Sequence, residues 1–219
     1  MKTLFLIIFV ICFIIYYLWF RSLHSSTLVT SGNNNIFADK LMIVAHPDDE
    51  LIFGGRELIE HSGWKVVCIT NGTIKSNNFI KRGNHNYRKD EFINMMKTLG
   101  HQYEIWDYED NLFNSNWNRK LIISQLKNLI NEYSYKIILT HNLQGEYGHI
   151  QHKHVSKLVH GLHPKNLYVF DTDENINNPY MDKILLISKI YGSQKKIIEK
   201  NQKYIIHQSK KLVSSISNI

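Results

Sequence analysis

Two short segments of this 219-residue chain concentrate side chains able to bind a metal and move a proton. One is Ala45-His46-Pro47-Asp48-Asp49-Glu50. The other is Thr140-His141-Asn142-Leu143-Gln144-Gly145-Glu146-Tyr147-Gly148-His149-Ile150-Gln151-His152. A catalytic divalent cation takes three protein ligands and keeps one position open for water, and imidazole and carboxylate both suit zinc. His149 and His152 stand three residues apart, so at a helix start both reach the same point. Each segment alone has a plainer reading. His-Pro-Asp-Asp is a common polar helix N-terminus, with Asp capping backbone N–H groups, and a chain with 12 His yields an H-x-x-H pair by chance. It is their joint occurrence that points to chemistry.

The elements that must position these residues alternate. Lys40–Ala45 is a short apolar run of the buried-strand kind, and Glu50–Glu60 follows with helical spacing, closed near Gly63. Trp64–Thr70 is a second strand, Tyr87–Leu99 a helix stopped by Gly100, and Tyr103–Asp107 a third strand. Trp117–Tyr133 is a helix, Lys136–Thr140 a fourth strand, His149–Leu162 a helix and Leu167–Phe170 a fifth strand. From Met181 the tail divides into two helical stretches split near Lys200–Tyr204. This alternation predicts an α/β fold, a mostly parallel sheet with helices on both faces. Ligands bind such sheets beyond the carboxyl ends of the strands, and both polar segments follow a strand there.

The same residues resemble the PIG-L (LmbE-like) family of zinc-dependent de-N-acetylases. The likeness rests on AHPDDE at 45–50 and THNLQGEYGHIQH at 140–152. It is supported by Arg88-x-x-Glu91 with Leu99-Gly100, by Asp110 and by Tyr191-Gly192-Ser193-Gln194. The resemblance implies a Rossmann-like fold and hydrolysis of an N-acetyl group from an amino sugar. It implies His46, Asp49 and His152 as ligands of Zn²⁺, or of another divalent metal such as Fe²⁺. It further implies Asp48 as general base, His149 as the group that polarises or protonates the amide, and Arg88 and Asp110 as substrate-pocket residues. Gln151 stands where the family often carries an Asp that holds the imidazole of the catalytic His, which leaves the protonation of His149 open. His141 borders the pocket or caps its strand; Glu50 is read as a helix-starting acid favoured by the dipole.

Leu4–Phe20 is 17 residues without charge, Gly or Pro, ending in Tyr16, Tyr17 and Trp19. Its length and aromatic end predict a single-pass N-terminal membrane anchor over residues 1–21, with a cleaved signal peptide as the rival. Residues 22–38, rich in Ser, Thr and Asn, read as a polar tether, and 39–219 as the deacetylase domain. The anchor favours a glycolipid substrate, N-acetylglucosaminyl-phosphatidylinositol of GPI-anchor synthesis. The alternatives are another N-acetylated sugar in a glycan or small glycoconjugate, or a non-catalytic sugar-binding protein on the same fold. Composition, 43% hydrophobic and 21% charged, excludes disordered and low-complexity classes. Two cysteines exclude a disulfide scaffold. The net charge of +7 comes from scattered Lys, and no nucleic-acid-binding motif accompanies it.

Overall fold

The computed structural model describes residues 10–16, 28–74, 87–111, 116–173 and 176–213. Its frame is a seven-stranded sheet: β1 (Val29–Gly32), β2 (Lys40–Val44), β3 (Trp64–Ile74), β4 (Gln102–Asp110), β5 (Ile137–Thr140), β6 (Leu167–Asp171) and β7 (Ser209–Leu212), in the spatial order β1-β4-β3-β2-β5-β6-β7. The five inner strands are parallel, while the two edge strands pair antiparallel, β1 with β4 and β7 with β6. The sheet is therefore mixed. Its parallel part matches the sequence expectation, and both edge strands come from segments whose composition gave no strand signal. Val29–Gly32 lies inside the stretch read as a tether; Ser209–Leu212 lies in the tail read as helical.

Residues of β2 alternate between two cores, the period-2 signature of a sheet covered on both faces. Met42 and Val44 join Val66, Cys68 and Ile105 on one face, beneath α1 (Asp49–Glu60) and α2 (Tyr87–Leu99). Leu41, Ile43 and Ala45 join Val67 and Ile69 on the other, beneath α3 (Arg119–Asn131) and α4 (Ile150–His160). The helix stripes meet the sheet as their spacing requires: Phe92, Met95 and Met96 of α2 and Ile122, Leu126 and Leu129 of α3 are all buried. After β6 the tail runs through α5 (Met181–Ile187), two single 3-10 turns, α6 (Lys195–Lys200) and α7 (Gln202–Ile206), packed on the α1 face. Asn201 separates α6 from α7, within the expected break.

The order of the parallel strands reverses at β2 and β5. The crevice beyond the carboxyl ends of two strands that send their chains to opposite faces is the binding position of open α/β sheets. Residues 45–50 and 141–152 follow these two strands.

The N-terminal anchor is not borne out. Among the described residues no helix is long and apolar enough to cross a membrane. The helix at 10–16 has seven residues; at about 1.5 Å per residue that spans about 10 Å of a hydrocarbon core of about 30 Å. The remainder of the Leu4–Phe20 run lies outside the described residues. The described residues therefore do not support the membrane localisation inferred from this run, nor the membrane as a partner through it.

Candidate functional site: a histidine–aspartate centre at the switch point

The chain leaves β2 fully buried and turns at His46-Pro47-Asp48 into α1. Asp48 occupies the N-cap position with φ 118°, a left-handed conformation in which a residue with a Cβ is strained. Its side chain makes no capping hydrogen bond, so the capping role open to it in the sequence is not the one it takes. Within the turn the His46 N–H donates to Oδ2 of Asp49 at 2.8 Å, and two contacts through Glu50 tie it to the rest of the chain. The Asp48 N–H donates to Oε2 of Glu50 at 3.1 Å, and the hydroxyl of Tyr191 donates to Oε1 of the same carboxylate. Glu50 and Tyr191 are wholly buried. Glu50 is thus more than a helix-starting acid: it ties the C-terminal region to the Asp48 backbone. Burial pushes the Glu50 carboxyl up to about 7. The Tyr191-Gly192-Ser193 run was the available signal, but nothing in its spacing names Glu50 as partner.

Beyond β5 the second segment closes on itself. Gly145 (φ 70°) makes the tight reversal; a Cβ there would stand 2.7 Å from the carbonyl oxygen of His149. Glu146 follows, also left-handed at φ 56°. Its N–H donates to Oδ1 of Asn142, and the Asn142 N–H donates to its Oε1. His149 is the N-cap of α4, its Nδ1 accepting the Gln151 N–H at 3.3 Å.

The two segments meet over Asp49. Oδ2 of Asp49 lies 3.2 Å from Nδ1 of His46 and 3.2 Å from Nε2 of His152, and those two nitrogens are 3.2 Å apart. All three side chains are buried. The protonation of each ring follows from its other nitrogen. Gln151 donates its amide N–H to the Glu109 carbonyl at 2.9 Å, which fixes the amide orientation and turns Oε1 toward Nε2 of His46 at 2.6 Å. Nε2 of His46 therefore carries the proton and Nδ1 presents a lone pair. Nδ1 of His152 lies 2.7 Å from Oε2 of Glu146, so it carries the proton and Nε2 presents a lone pair. Three lone-pair atoms, one on a carboxylate, then face one another at equal spacing. Tetrahedral ligands about 2.0–2.1 Å from a zinc-sized cation stand about 3.3–3.4 Å apart. The donor set and its spacing fit such a cation.

Around this triangle, Arg88 reaches in from α2. Its Nη1 pairs with Oδ2 of Asp110, its Nη2 donates to the Pro47 carbonyl at 3.1 Å, and Nη2 lies 3.7 Å from Oδ1 of Asp48. Asp110 also stands 3.5 Å from Nε2 of His46. Oδ2 of Asp48 is buried with no hydrogen-bond partner among the described residues. Burial pushes the Asp48 carboxyl up to about 8 against the pull of Arg88. Burial opposes ionisation of Asp49, but His152 and His46 beside it hold its carboxyl well below the ordinary range. His149, half-buried, is lowered to about 4 by burial and by His46 and His152; its ring stands 4.7 Å from that of His46 and 4.6 Å from that of His152, centre to centre.

All seven sequence-predicted residues thus converge at one place. The expected pairing of Gln151 with His149 is corrected in part. The side-chain oxygen of Gln151 serves His46, and it is the backbone N–H of Gln151 that reaches His149. An amide donor at a helix N-terminus keeps that imidazole neutral, with its proton on Nε2. His141, left between two readings by the sequence, is wholly buried; its Nε2 accepts the Ala45 N–H at 2.9 Å. His154 stacks on Trp117 at 5.0 Å, on the far side of α4 as helical spacing demands.

Fold and site together define an α/β class with a buried cluster of His and Asp side chains able to hold a metal at the switch point. The comparisons agree. The model of the PIG-L family, described as GlcNAc-PI de-N-acetylase, matches residues 41–162, more than half of the chain. The chain belongs to this family. It is 58% identical over 205 residues to the uncharacterized protein L374 of Acanthamoeba polyphaga mimivirus, covering 91% of each chain. Among solved structures it resembles the N,N'-diacetylchitobiose deacetylase from Pyrococcus horikoshii, complexed with its inhibitor MPG. There the TM-score is 0.61 at 15% identity, covering 83% of this chain and 87% of the other. It also resembles the conserved protein TT1542 from Thermus thermophilus, with a TM-score of 0.57 at 15% identity and coverage of 84% and 97%. At such identity the likeness concerns the fold.

Proposed function

We propose that this protein is a metal-dependent hydrolase that removes the acetyl group from an N-acetylglucosamine unit of a glycoconjugate, giving acetate and the free amine. The observation that carries the reading is the triangle of Nδ1 of His46, Oδ2 of Asp49 and Nε2 of His152, three lone pairs at 3.2 Å spacing. These residues hold the cation, with zinc the favoured identity for an N,N,O donor set. A cation bound there supplies Lewis acidity, which activates water and polarises the amide carbonyl.

The chain's own groups do the rest. Asp48, whose Oδ2 has no competing partner among the described residues, accepts the proton of the attacking water as general base in its ionised form, which Arg88 and the charge of a neighbouring cation would favour against the upward push of burial. Arg88 keeps Asp48 and Asp110 from repelling each other and orients the base through the Pro47 carbonyl. Neutral His149 presents Nε2–H to the carbonyl oxygen as charge develops there, a role worth about 10²–10³ in rate. Asp48, once protonated, is placed to return its proton to the leaving amine. Arg88 and Asp110, read from the sequence as pocket residues, act here by holding Asp48 and His46.

N-acetylglucosaminyl-phosphatidylinositol stays a candidate substrate because it is in the family's name; a membrane anchor no longer speaks for it. The test is acetate release by the purified full chain, loaded with zinc, from a panel of N-acetylglucosaminyl-phosphatidylinositol, N-acetylated chito-oligosaccharides and free N-acetylglucosamine. Chelation should abolish release and added metal restore it. Release that survives complete metal removal, or none from any member of the panel, defeats the proposal.

A further inference from the structure

Glu146 lies between the two segments' chemistry, and its carboxylate is committed on both oxygens. Oε2 stands 2.7 Å from Nδ1 of His152 and 2.9 Å from Nδ1 of His141, and Oε1 accepts the Asn142 N–H at 2.9 Å. The side chains of Glu146, His141 and His152 are completely shielded from solvent. The two imidazoles stack with ring centres 4.0 Å apart at 20°, so the carboxylate meets both from one edge.

We propose that Glu146 is a positioning residue that fixes the Nδ1–H tautomer of His141 and His152 together, and so sets the metal affinity of Nε2 of His152. The inference rests on the metal reading of the site. The far edge of the His141 ring supports it independently. Nε2 of His141 is 2.9 Å from the Ala45 N–H, a group that only donates, whereas Oδ2 of Asp49 is farther, at 3.5 Å. His141 therefore has its lone pair on Nε2 and its proton on Nδ1, facing Glu146. The Ala45 N–H lies at the end of β2, beside the His46 turn. One carboxylate thus locks a ligand, and through His141 it registers the second segment against the first. A partner of this kind raises ligand basicity and orients the ring.

Three N–H donors on two oxygens demand an acceptor-only group. Glutamine matches the shape but fails the count. With its oxygen toward the two rings, its amide N–H faces the Asn142 N–H; with the amide reversed, N–H meets two ring N–H groups. Either arrangement frustrates a partner, and the escape open to His152 is to move its proton to Nε2, the metal-binding atom.

Zinc affinity of the full chain by competition with a chromophoric chelator, for wild type and Glu146→Gln, tests this. The variant should stay folded and bind zinc about 10–100-fold more weakly. A folded variant with wild-type affinity overturns the proposal, while a wild type that binds no zinc overturns the metal reading instead. Nitrogen-15 NMR of the imidazoles in the zinc-loaded wild type decides the matter even where the variant does not fold. Hydrogen-bonded Nδ1–H on both His141 and His152 is expected, and Nε2–H on either ring contradicts it.

Discussion

The two segments that build the site are held in different ways. The His46–Asp49 turn is short, places Asp48 at φ 118° and leaves Oδ2 of that residue without a partner among the described residues. Inside it the His46 N–H donates to Oδ2 of Asp49 at 2.8 Å, and further supports come from outside: Arg88 from α2, Tyr191 through Glu50 from the C-terminal region. The segment from His141 to His149 is longer and closes on itself, through the reciprocal Asn142–Glu146 pair, the Gly145 reversal and the shared Glu146 carboxylate. The difference follows two tasks that meet in the turn. The segment that supplies His152, a proposed ligand, satisfies its polar groups internally. The turn supplies the other two proposed ligands, tied together by the His46–Asp49 hydrogen bond, and between them the proposed base Asp48, which is left strained and braced by distant residues. Buried polar groups without partners cost about 1–3 kcal/mol each, so such a group persists only where its surroundings over-determine it.

The sharpest way to break this comparison is within the turn itself. Asp48→Asn keeps shape but removes the proton acceptor. It should retain zinc and lose turnover by about 10²–10⁴. Asp49→Asn should lose zinc first and recover part of its activity in excess metal. Zinc content and acetate release on each variant read the outcome; Asp48→Asn without zinc, beside an active and zinc-bearing Asp49→Asn, would reverse the roles. A smaller effect tests the outside brace. Tyr191→Phe deletes one hydroxyl and leaves Oε1 of the buried Glu50 carboxylate without it, which should cost about 1–3 kcal/mol of stability. Because Glu50 holds the Asp48 N–H, kcat should fall about tenfold or less while zinc content and KM stay near wild type. Thermal unfolding and steady-state kinetics measure the two together. A loss of zinc in Tyr191→Phe would mean that the two tasks are not separate.

Much of this was legible in the sequence for a local reason. The five parallel strands and the helices between them each carry their own period, and strand ends announce the polar segments. Asp48 and Asp49 are neighbours in sequence, and His149 and His152 lie one helical turn apart. What stayed hidden depends on contacts between remote positions. Glu50 and Tyr191 are 141 residues apart. Gln151 serves His46 across 105 residues, although its sequence neighbourhood suggested His149. The edge strands Val29–Gly32 and Ser209–Leu212 have polar, partly exposed faces and no apolar alternation; pairing to β4 and β6 makes them strands. The N-terminal apolar run was read from hydropathy alone, whereas the described helix there has seven residues.

The central claim is that two segments about 90 residues apart make one metal centre with three named atoms. The direct measurement is a crystal structure of the full chain loaded with zinc, with anomalous differences collected above and below the zinc edge. One strong peak is expected, about 2.0–2.2 Å from Nδ1 of His46, Oδ2 of Asp49 and Nε2 of His152. A peak bound elsewhere, or one at this place ligated through Nε2 of His46 or Nδ1 of His152, would contradict it.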